Sequence, residues 1–371
     1  MPLTIAVDAT GLGRFKTGTA VYLLEILRVW NENKHIIAHF HVFISPKTQR
    51  YFDELKLDSR FEYHFAPDGR GIRSLWQHWV LPFAVARVRC DVHWGTTFVV
   101  PVLSRCPCVV TVHDMTFRTL PVVHEWVKRW YFGAVIGWSL AKARVVLAVS
   151  ETTKADIARL YPAIAKKIRV TLLGPRAFGG EVAGRLAADG DRQPYVLAIG
   201  TLEPRKNLPR LLRAWCALAP AIRGRTRLYV AGPDGWMMGE LGAREAQEAY
   251  GVQFLGYFEE AKLRELLQGA TFLAYPSLYE GFGLPVIEAM SVGVPVLTSG
   301  VGATAEVAGD AAYLVDPLDE GSIRMGLERL LKDPCLREAL SAKGRDRAAT
   351  FSWTRTAQLT FQALEEVAGL L

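Results

Sequence analysis

Two carboxylates frame the run Glu280-Gly281-Phe282-Gly283-Leu284-Pro285-Val286-Ile287-Glu288. It follows an apolar stretch ending in Ala274-Tyr275-Pro276-Ser277 and leads into the helical pattern Ala289-Met290-Ser291. Two glycines let a backbone approach a ligand closely, and Pro285 suits the first turn of a helix, where its missing N–H is not needed. The N–H groups around Phe282, Gly283 and Leu284 then face an anion, which the helix dipole favours. Glu280 stands before that helix and Glu288 about one turn into it. Both carboxylates are placed to accept hydrogen bonds from sugar and ribose hydroxyls. The plainer alternative is a strand-to-helix turn with two solvated glutamates.

A second constellation, Gly200-Thr201-Leu202-Glu203-Pro204-Arg205-Lys206-Asn207, follows the strand-like Tyr195–Ile199. Adjacent Arg205 and Lys206 on such a loop can neutralise a departing diphosphate. Nearer the N-terminus, Gly11, Gly13 and Gly18 sit after the first strand; Lys16 breaks the G-x-G-x-x-G spacing, and Gly18 is the residue expected to approach a ligand. His113-Asp114 ends another strand, where a histidine can hydrogen-bond a sugar or an acceptor. Ser150-Glu151 reads as a helix cap. Asp189-Gly190-Asp191 imitates a metal-binding pair but sits in the linker and precedes no matching strand. Cys106-Pro107-Cys108 has the wrong spacing for zinc, and His35, His39 and His41 read as surface or strand residues. No metal is expected.

These loops need strands to carry them. Short β-rich runs alternate with helical stretches, the pattern of parallel sheets covered by helices. Strands are expected at Thr4–Asp8, His39–Ser45, Val92–Gly95, Cys108–His113, Val145–Ser150 and Ile168–Leu173. A second set is expected at Tyr195–Gly200, Arg227–Gly232, Val252–Gly256, Phe272–Pro276 and Val294–Thr298. A Gly- and Ala-rich stretch separates the two sets. The reading is α/β: a domain over 1–177, a linker over 178–192, a domain over 193–350, and a helix over 351–371, opened by Trp353, that can cross back to the first domain. Two doubly wound domains would hold a ligand cleft between them, at the carboxyl ends of their strands.

Composition narrows the classes. Of 371 residues, 50% are apolar and 22% charged, which excludes a disordered chain. Apolar runs fall short of the ~18–20 residues of a spanning helix, and the N-terminus reads as a strand rather than a leader. Five cysteines are too few for a disulfide framework. A soluble cytoplasmic protein is therefore expected. Residues 1–180 hold 24 Lys+Arg against 13 Asp+Glu, whereas the remainder is net acidic. Such a basic half suits nucleic acid, an anionic membrane or a phosphorylated substrate. Its helical stretches at Arg70–Arg89 (Trp76, Trp79, Phe83) and His124–Arg144 (Trp126, Trp130, Tyr131, Phe132, Trp138) mix basic and aromatic residues as interfacial helices do. Core packing is the alternative.

The runs G-T-L-E-P-R-K-N and P-S-L-Y-E-G-F-G-L-P-V-I-E-A-M-S-V-G-V-P-V resemble glycosyltransferase family 4. Val230-Ala231-Gly232-Pro233, Phe254-Leu255-Gly256 and Glu306-Val307 follow the family's order. The resemblance implies a retaining, GT-B-fold enzyme using a nucleotide sugar, with two facing Rossmann-like domains. It implies that Arg205 and Lys206 hold the donor's phosphates, that Glu280 meets the sugar hydroxyls, and that Glu288 meets the ribose. It places backbone groups of Phe282, Gly283 and Leu284 at the sugar and diphosphate, Leu255-Gly256 near the base, Gly18 at the donor, and His113 with Asp114 at donor sugar or acceptor. Thr201 stands where many members carry Arg, so Arg205 is expected to take that charge. Bacterial mannosyl- and rhamnosyltransferases of polysaccharide assembly are similar, which implies GDP-mannose as donor, UDP- or dTDP-sugars next, and a glycan or lipid-linked acceptor at the inner membrane face. A sugar-nucleotide epimerase of the same fold would need further acid/base carboxylates. A nucleic-acid-binding protein would not explain Glu280 and Glu288.

Overall fold

The computed structural model describes residues 2–101, 103–119, 126–176, 193–233 and 248–370. By contact it divides into two units, Met1–Leu173 with Ser352–Leu371, and Gly174–Phe351. The linker read at 178–192, with Asp189-Gly190-Asp191 inside it, lies outside the described residues.

The first unit holds β1 (Leu3–Asp8), β2 (Ala38–Ile44), β3 (Phe61–Phe65), β4 (Val92–Gly95), β5 (Cys108–Val112), β6 (Val145–Ala148) and β7 (Ile168–Val170). They form one sheet in the order β3-β2-β1-β4-β5-β6-β7, every pair parallel. The second unit holds β8 (Tyr195–Ile199), β9 (Arg227–Ala231), β10 (Val252–Gly256), β11 (Phe272–Tyr275), β12 (Val296–Ser299) and β13 (Tyr313–Val315). Its sheet runs β10-β9-β8-β11-β12-β13, again parallel throughout. Parallel neighbours cannot be joined by a hairpin, so crossovers run over both faces and bury them. The central strands accordingly read as continuous apolar runs: β5, β6, β11 and β12 are buried along their whole lengths.

Two strands go beyond the sequence reading, β3 and β13, and both are sheet edges. β3 (Phe-Glu-Tyr-His-Phe) has one buried residue and lacks the apolar run that marks a buried strand, whereas β13 (Tyr-Leu-Val) is apolar but only three residues long.

The last helix, Trp353–Ala368, is capped by Ser352 and belongs to the first unit, against the helix Gly18–Glu32. Trp30 lies at the centre of that contact. Its indole N–H donates to the Ala357 carbonyl at 3.1 Å, and its ring stacks on Phe40 and meets Phe361 edge-on. The Thr356 hydroxyl donates to the Leu172 carbonyl, tying the helix to the strand end beneath it. Trp30→Ala removes a fully buried side chain, and is expected to lower the first unit's unfolding free energy by ~3–5 kcal/mol in urea titrations. The second unit's transition should stay in place.

Candidate functional site

Each sheet reverses its strand order once, between β1 and β4 and between β8 and β11. Ligands of doubly wound sheets sit outside the carboxyl ends of the strands at such a point. In the second unit that point is built from the loop after β8, which holds Arg205 and Lys206, and the loop after β11, which holds Glu280.

Glu280 is 8% exposed and takes three donors. Arg205 Nη1 donates to its Oε2 at 2.5 Å; Lys206 Nζ at 2.7 Å and Tyr275 Oη at 2.8 Å both donate to Oε1. Lys206 Nζ also donates to Tyr275 Oη at 2.5 Å, and Arg205 Nε pairs with Glu203 at 2.5 Å. Burial pushes the Glu280 carboxyl up, but Arg205 and then Lys206 more than offset it and hold its pKa down to about 2. Glu280 is thus an ionised acceptor, unsuited to donating a proton. Burial, and then the charge of Arg205, lower the Lys206 ammonium, while Glu280 works against them. Tyr275 is held well above an ordinary phenol by burial and by the Glu280 charge, so it remains a donor.

Local geometry explains why the motif has its residues. Arg205 and Lys206 lie in a short turn, Pro204–Lys206, closed by Asn207 in the left-handed region at φ 59°. Asparagine tolerates that conformation. Its buried amide donates to the carbonyls of Pro276 (3.0 Å) and Pro317 (2.6 Å), and Leu278 N–H donates to the Arg205 carbonyl at 2.7 Å. The two loops are therefore stitched together through backbone groups. Gly200 leaves room for the lysine stem: a Cβ there would lie 2.9 Å from Lys206 Cε.

The turn after Glu280 carries Gly283 at φ +107°, then the helix Leu284–Ser291 with Pro285 in its first turn and no side-chain cap. Phe282 turns its ring into the unit's interior, edge-on to Phe351, which leaves its backbone to line the loop. Glu288 is 1% exposed and gripped by Arg176, whose Nε and Nη2 donate to its two oxygens at 2.6 and 3.1 Å. Leu255 is the bulged residue at the end of β10, the sheet's outer strand, and the Gly256 carbonyl accepts from Gly232 N–H at 2.8 Å.

The remaining expected residues belong to the first unit. Gly18 opens the helix Gly18–Glu32, preceded by Thr17, which makes no side-chain cap. His113 follows β5, and its Nε2 meets the Thr96 carbonyl at 2.8 Å. A carbonyl only accepts, so Nε2 carries the hydrogen. Burial lowers the ring's pKa, which leaves a neutral imidazole with Nδ1 as acceptor. The Asp114 carboxylate accepts from Thr116 N–H at 2.9 Å, capping the short turn of helix that follows. Ser150 caps the helix Glu151–Leu160, and all five cysteines are free thiols.

Of the expected residues, Arg205, Lys206 and Glu280 form one hydrogen-bonded group, whereas Glu288 has a separate partner. Tyr275, Glu203 and Arg176 are additions. Tyr275 and Glu203 stand beside the motifs and were legible as polar groups at a strand's end; Arg176, 112 residues from Glu288, had no sequence signal.

Comparison with known proteins agrees with this architecture. The profile described as Glycosyl transferases group 1 matches residues 187–347, and that for Glycosyltransferase Family 4 matches residues 16–174. The O-antigen chain mannosyltransferase B of Escherichia coli is 36% identical over 264 residues, 69% of either chain. The MMP alpha-(1->4)-mannosyltransferase of Mycolicibacterium hassiacum is 31% identical over 70% of this chain and 65% of its own. Among solved structures, sucrose-phosphate synthase from Thermosynechococcus elongatus superposes over 100% of both chains with a TM-score of 0.79 at 19% identity, a likeness of fold.

Removing the Glu280 charge leaves the largely buried Lys206 without its carboxylate partner and Arg205 with Glu203. Glu280→Gln is expected to destabilise the second unit by ~3–5 kcal/mol at pH 7. A carboxyl with a depressed pKa contributes fully above its ordinary value of 4.5 and loses its contribution as pH falls through about 2. The difference between variant and wild type in denaturant unfolding should therefore shrink across that window. A pH-independent gap counts against the ion group.

Proposed function

The chain belongs to glycosyltransferase family 4, and from that premise we propose that it is a retaining mannosyltransferase, taking mannose from GDP-mannose and passing it to a glycan or lipid-linked acceptor in bacterial polysaccharide assembly. The observation that carries this reading is the Arg205–Glu280–Lys206–Tyr275 group at the carboxyl ends of β8 and β11. The mannosyltransferase names of the relatives support the choice of sugar.

On this reading the bond from the anomeric carbon to the diphosphate breaks, and the acceptor oxygen attacks from the same face. The acceptor's proton passes to the leaving phosphate oxygen. Arg205 and Lys206 stabilise the charge that develops there, together with the N–H groups at the start of the helix Leu284–Ser291. Glu280 accepts from sugar hydroxyls, and Glu288 from the ribose. Phe282, Gly283 and Leu284 offer backbone groups to the sugar and diphosphate, Leu255 and Gly256 flank the base, and Gly18 approaches the donor. His113, through Nδ1, and Asp114 accept hydrogen bonds from hydroxyls of the sugar or acceptor. The positive charge needed by the leaving group comes from side chains, so turnover requires no metal. Glu203 and Glu280 offset the basic pair, which makes this site a poor one for a nucleic acid strand.

The acceptor's anchor bears on location. No helix among the described residues is long and apolar enough to cross a membrane. The helices Arg70–Trp79 and Leu81–Arg87 nevertheless expose Ile72, Leu75, Trp79 and Phe83 to 61–68%. Arg87 and Arg89 are exposed beside them. Exposed aromatic and aliphatic groups flanked by arginines suit the interface of an anionic bilayer. This favours a cytoplasmic enzyme resting on the inner face of the membrane. Trp138 differs: it is partly buried in the core, with Lys142 Nζ 5.1 Å from its ring centroid.

Calorimetric titration with GDP, UDP, dTDP and ADP tests the donor: GDP should bind, and EDTA should leave binding and turnover unchanged. Lys206→Ala should retain the fold and lose ~10²–10³ in turnover; near-normal turnover rejects its role. For the membrane, Trp79→Glu combined with Phe83→Glu is expected to weaken flotation with anionic vesicles by at least ~10-fold, since burying one such ring contributes ~1.5–3 kcal/mol. Equal flotation rejects that face as the contact.

A further inference from the structure

Away from the residues assigned to sugar transfer, the outer strands of the first unit carry a cluster that no part of the proposed reaction uses. His41 on β2 is the register partner of Glu62 on β3, and His64 follows Glu62 by two residues, so all three point to one face of the sheet. His41 Nδ1 lies 2.9 Å from His64 Nε2 and 3.3 Å from Glu62 Oε2, and His64 Nε2 lies 3.8 Å from Glu62 Oε1. Among the described residues, this is the one group of three His, Cys, Asp or Glu whose ligand atoms lie within 4.8 Å of one another.

We propose that His41, Glu62 and His64 form a binding site for a divalent transition ion of the zinc type, which clips the edge strand β3 to β2. Zinc bonds to imidazole and carboxylate are ~2.0–2.2 Å long, so at the tetrahedral angle adjacent ligand atoms stand roughly 3.3–3.5 Å apart. The shortest separations lie around that edge length, His41 reaching Glu62 Oε2 and His64 reaching Glu62 Oε1, so a small turn of the carboxylate presents one oxygen to both imidazoles, with the fourth position left for water. The donor set is two imidazoles and one carboxylate, which suits zinc and its first-row neighbours and not calcium or magnesium. His41 is half-buried, its ring held between Glu62 and His64. The His64 ring also stacks on Phe43 at 4.9 Å, which restricts its orientation before any ion arrives. His39, two residues before His41 on the same strand, is exposed on the same side.

The competing account is an N–H···N hydrogen bond between two neutral imidazoles beside a solvated glutamate. Cobalt(II) separates the two in the full-length, chelator-treated protein. The site predicts one equivalent of cobalt with visible d–d bands and no thiolate charge-transfer band, displaced by zinc. In Glu62→Gln, an exposed and conservative change, affinity should fall by more than the ~10–100-fold that losing an outer-sphere partner costs. In His64→Ala the bands should vanish. Zinc should also raise the urea midpoint of the wild type and leave that of Glu62→Gln unmoved. Cobalt bands of equal strength in wild type and both variants, or no binding by the wild type, overturn the proposal.

Discussion

The second unit is organised around the cost of burying charge. Glu280 and Tyr275 are buried and Lys206 is largely so, and none could remain there alone. Their mutual hydrogen bonds hold them, and those bonds form only if the loops after β8 and β11 meet at a fixed distance. The rest of the unit supplies that distance. β8 and β11 are hydrogen-bonded neighbours at Phe272↔Val196 and Leu273↔Leu197. The Asn207 amide ties the two loops. Gly232 allows β9 to come close enough that a Cβ there would lie 2.0 Å from the Gly200 carbonyl oxygen. A bulkier residue at either glycine would move the lysine by displacing what lies under it.

The first unit has a comparable arrangement at its own reversal point, built from neutral donors. The Asp8 carboxylate, 1% exposed, accepts from Thr10 N–H and hydroxyl and from the Gln77 amide at 2.6 Å. The Asp8 carbonyl accepts from the Thr96 hydroxyl at 2.6 Å, and the Thr96 carbonyl in turn fixes the hydrogen of His113 on Nε2. The chain of bonds runs from β1 through the loop after β4 to the end of β5. The histidine's tautomer is thus set two strands away from the buried carboxylate.

What could be read from the sequence follows from how local each feature is. A loop that follows an apolar strand, contains glycines and precedes a helix announces its own geometry, so Arg205, Lys206, Glu280 and Glu288 were legible within single stretches. Trp353 marked the start of the last helix, while its cap, Ser352, came only with the structure. The strand β3 was not legible, because an edge strand exposes part of its length and loses the apolar signature; β13, Tyr-Leu-Val, is apolar but too short to mark a strand by itself. Missing β3 also hid the His41–Glu62–His64 cluster: His41 stands 23 residues before His64, and only the register of β2 against β3 brings it to the other two. The pair Arg176–Glu288 is invisible for the same reason, since nothing near Arg176 marks where its partner lies.

Both carboxylates expected at the donor, Glu280 for its sugar and Glu288 for its ribose, are engaged by protein donors, which constrains how a donor would enter. A carboxylate offers about four lone-pair sites, and Glu280 spends three, on Arg205, Lys206 and Tyr275. On the proposed reading, a diphosphate arriving beside Arg205 and Lys206 competes for the donors that now satisfy Glu280. Each N–H that turns to phosphate releases a lone pair, which a sugar hydroxyl can then take. Phosphate and sugar would thereby bind as one exchange of partners, with the buried carboxylate never left unpaired. A nucleotide lacking the sugar would draw away the same cations and leave Glu280 short of donors. The discrimination between whole donor and spent nucleotide would then rest in part on this shared set of hydrogen bonds.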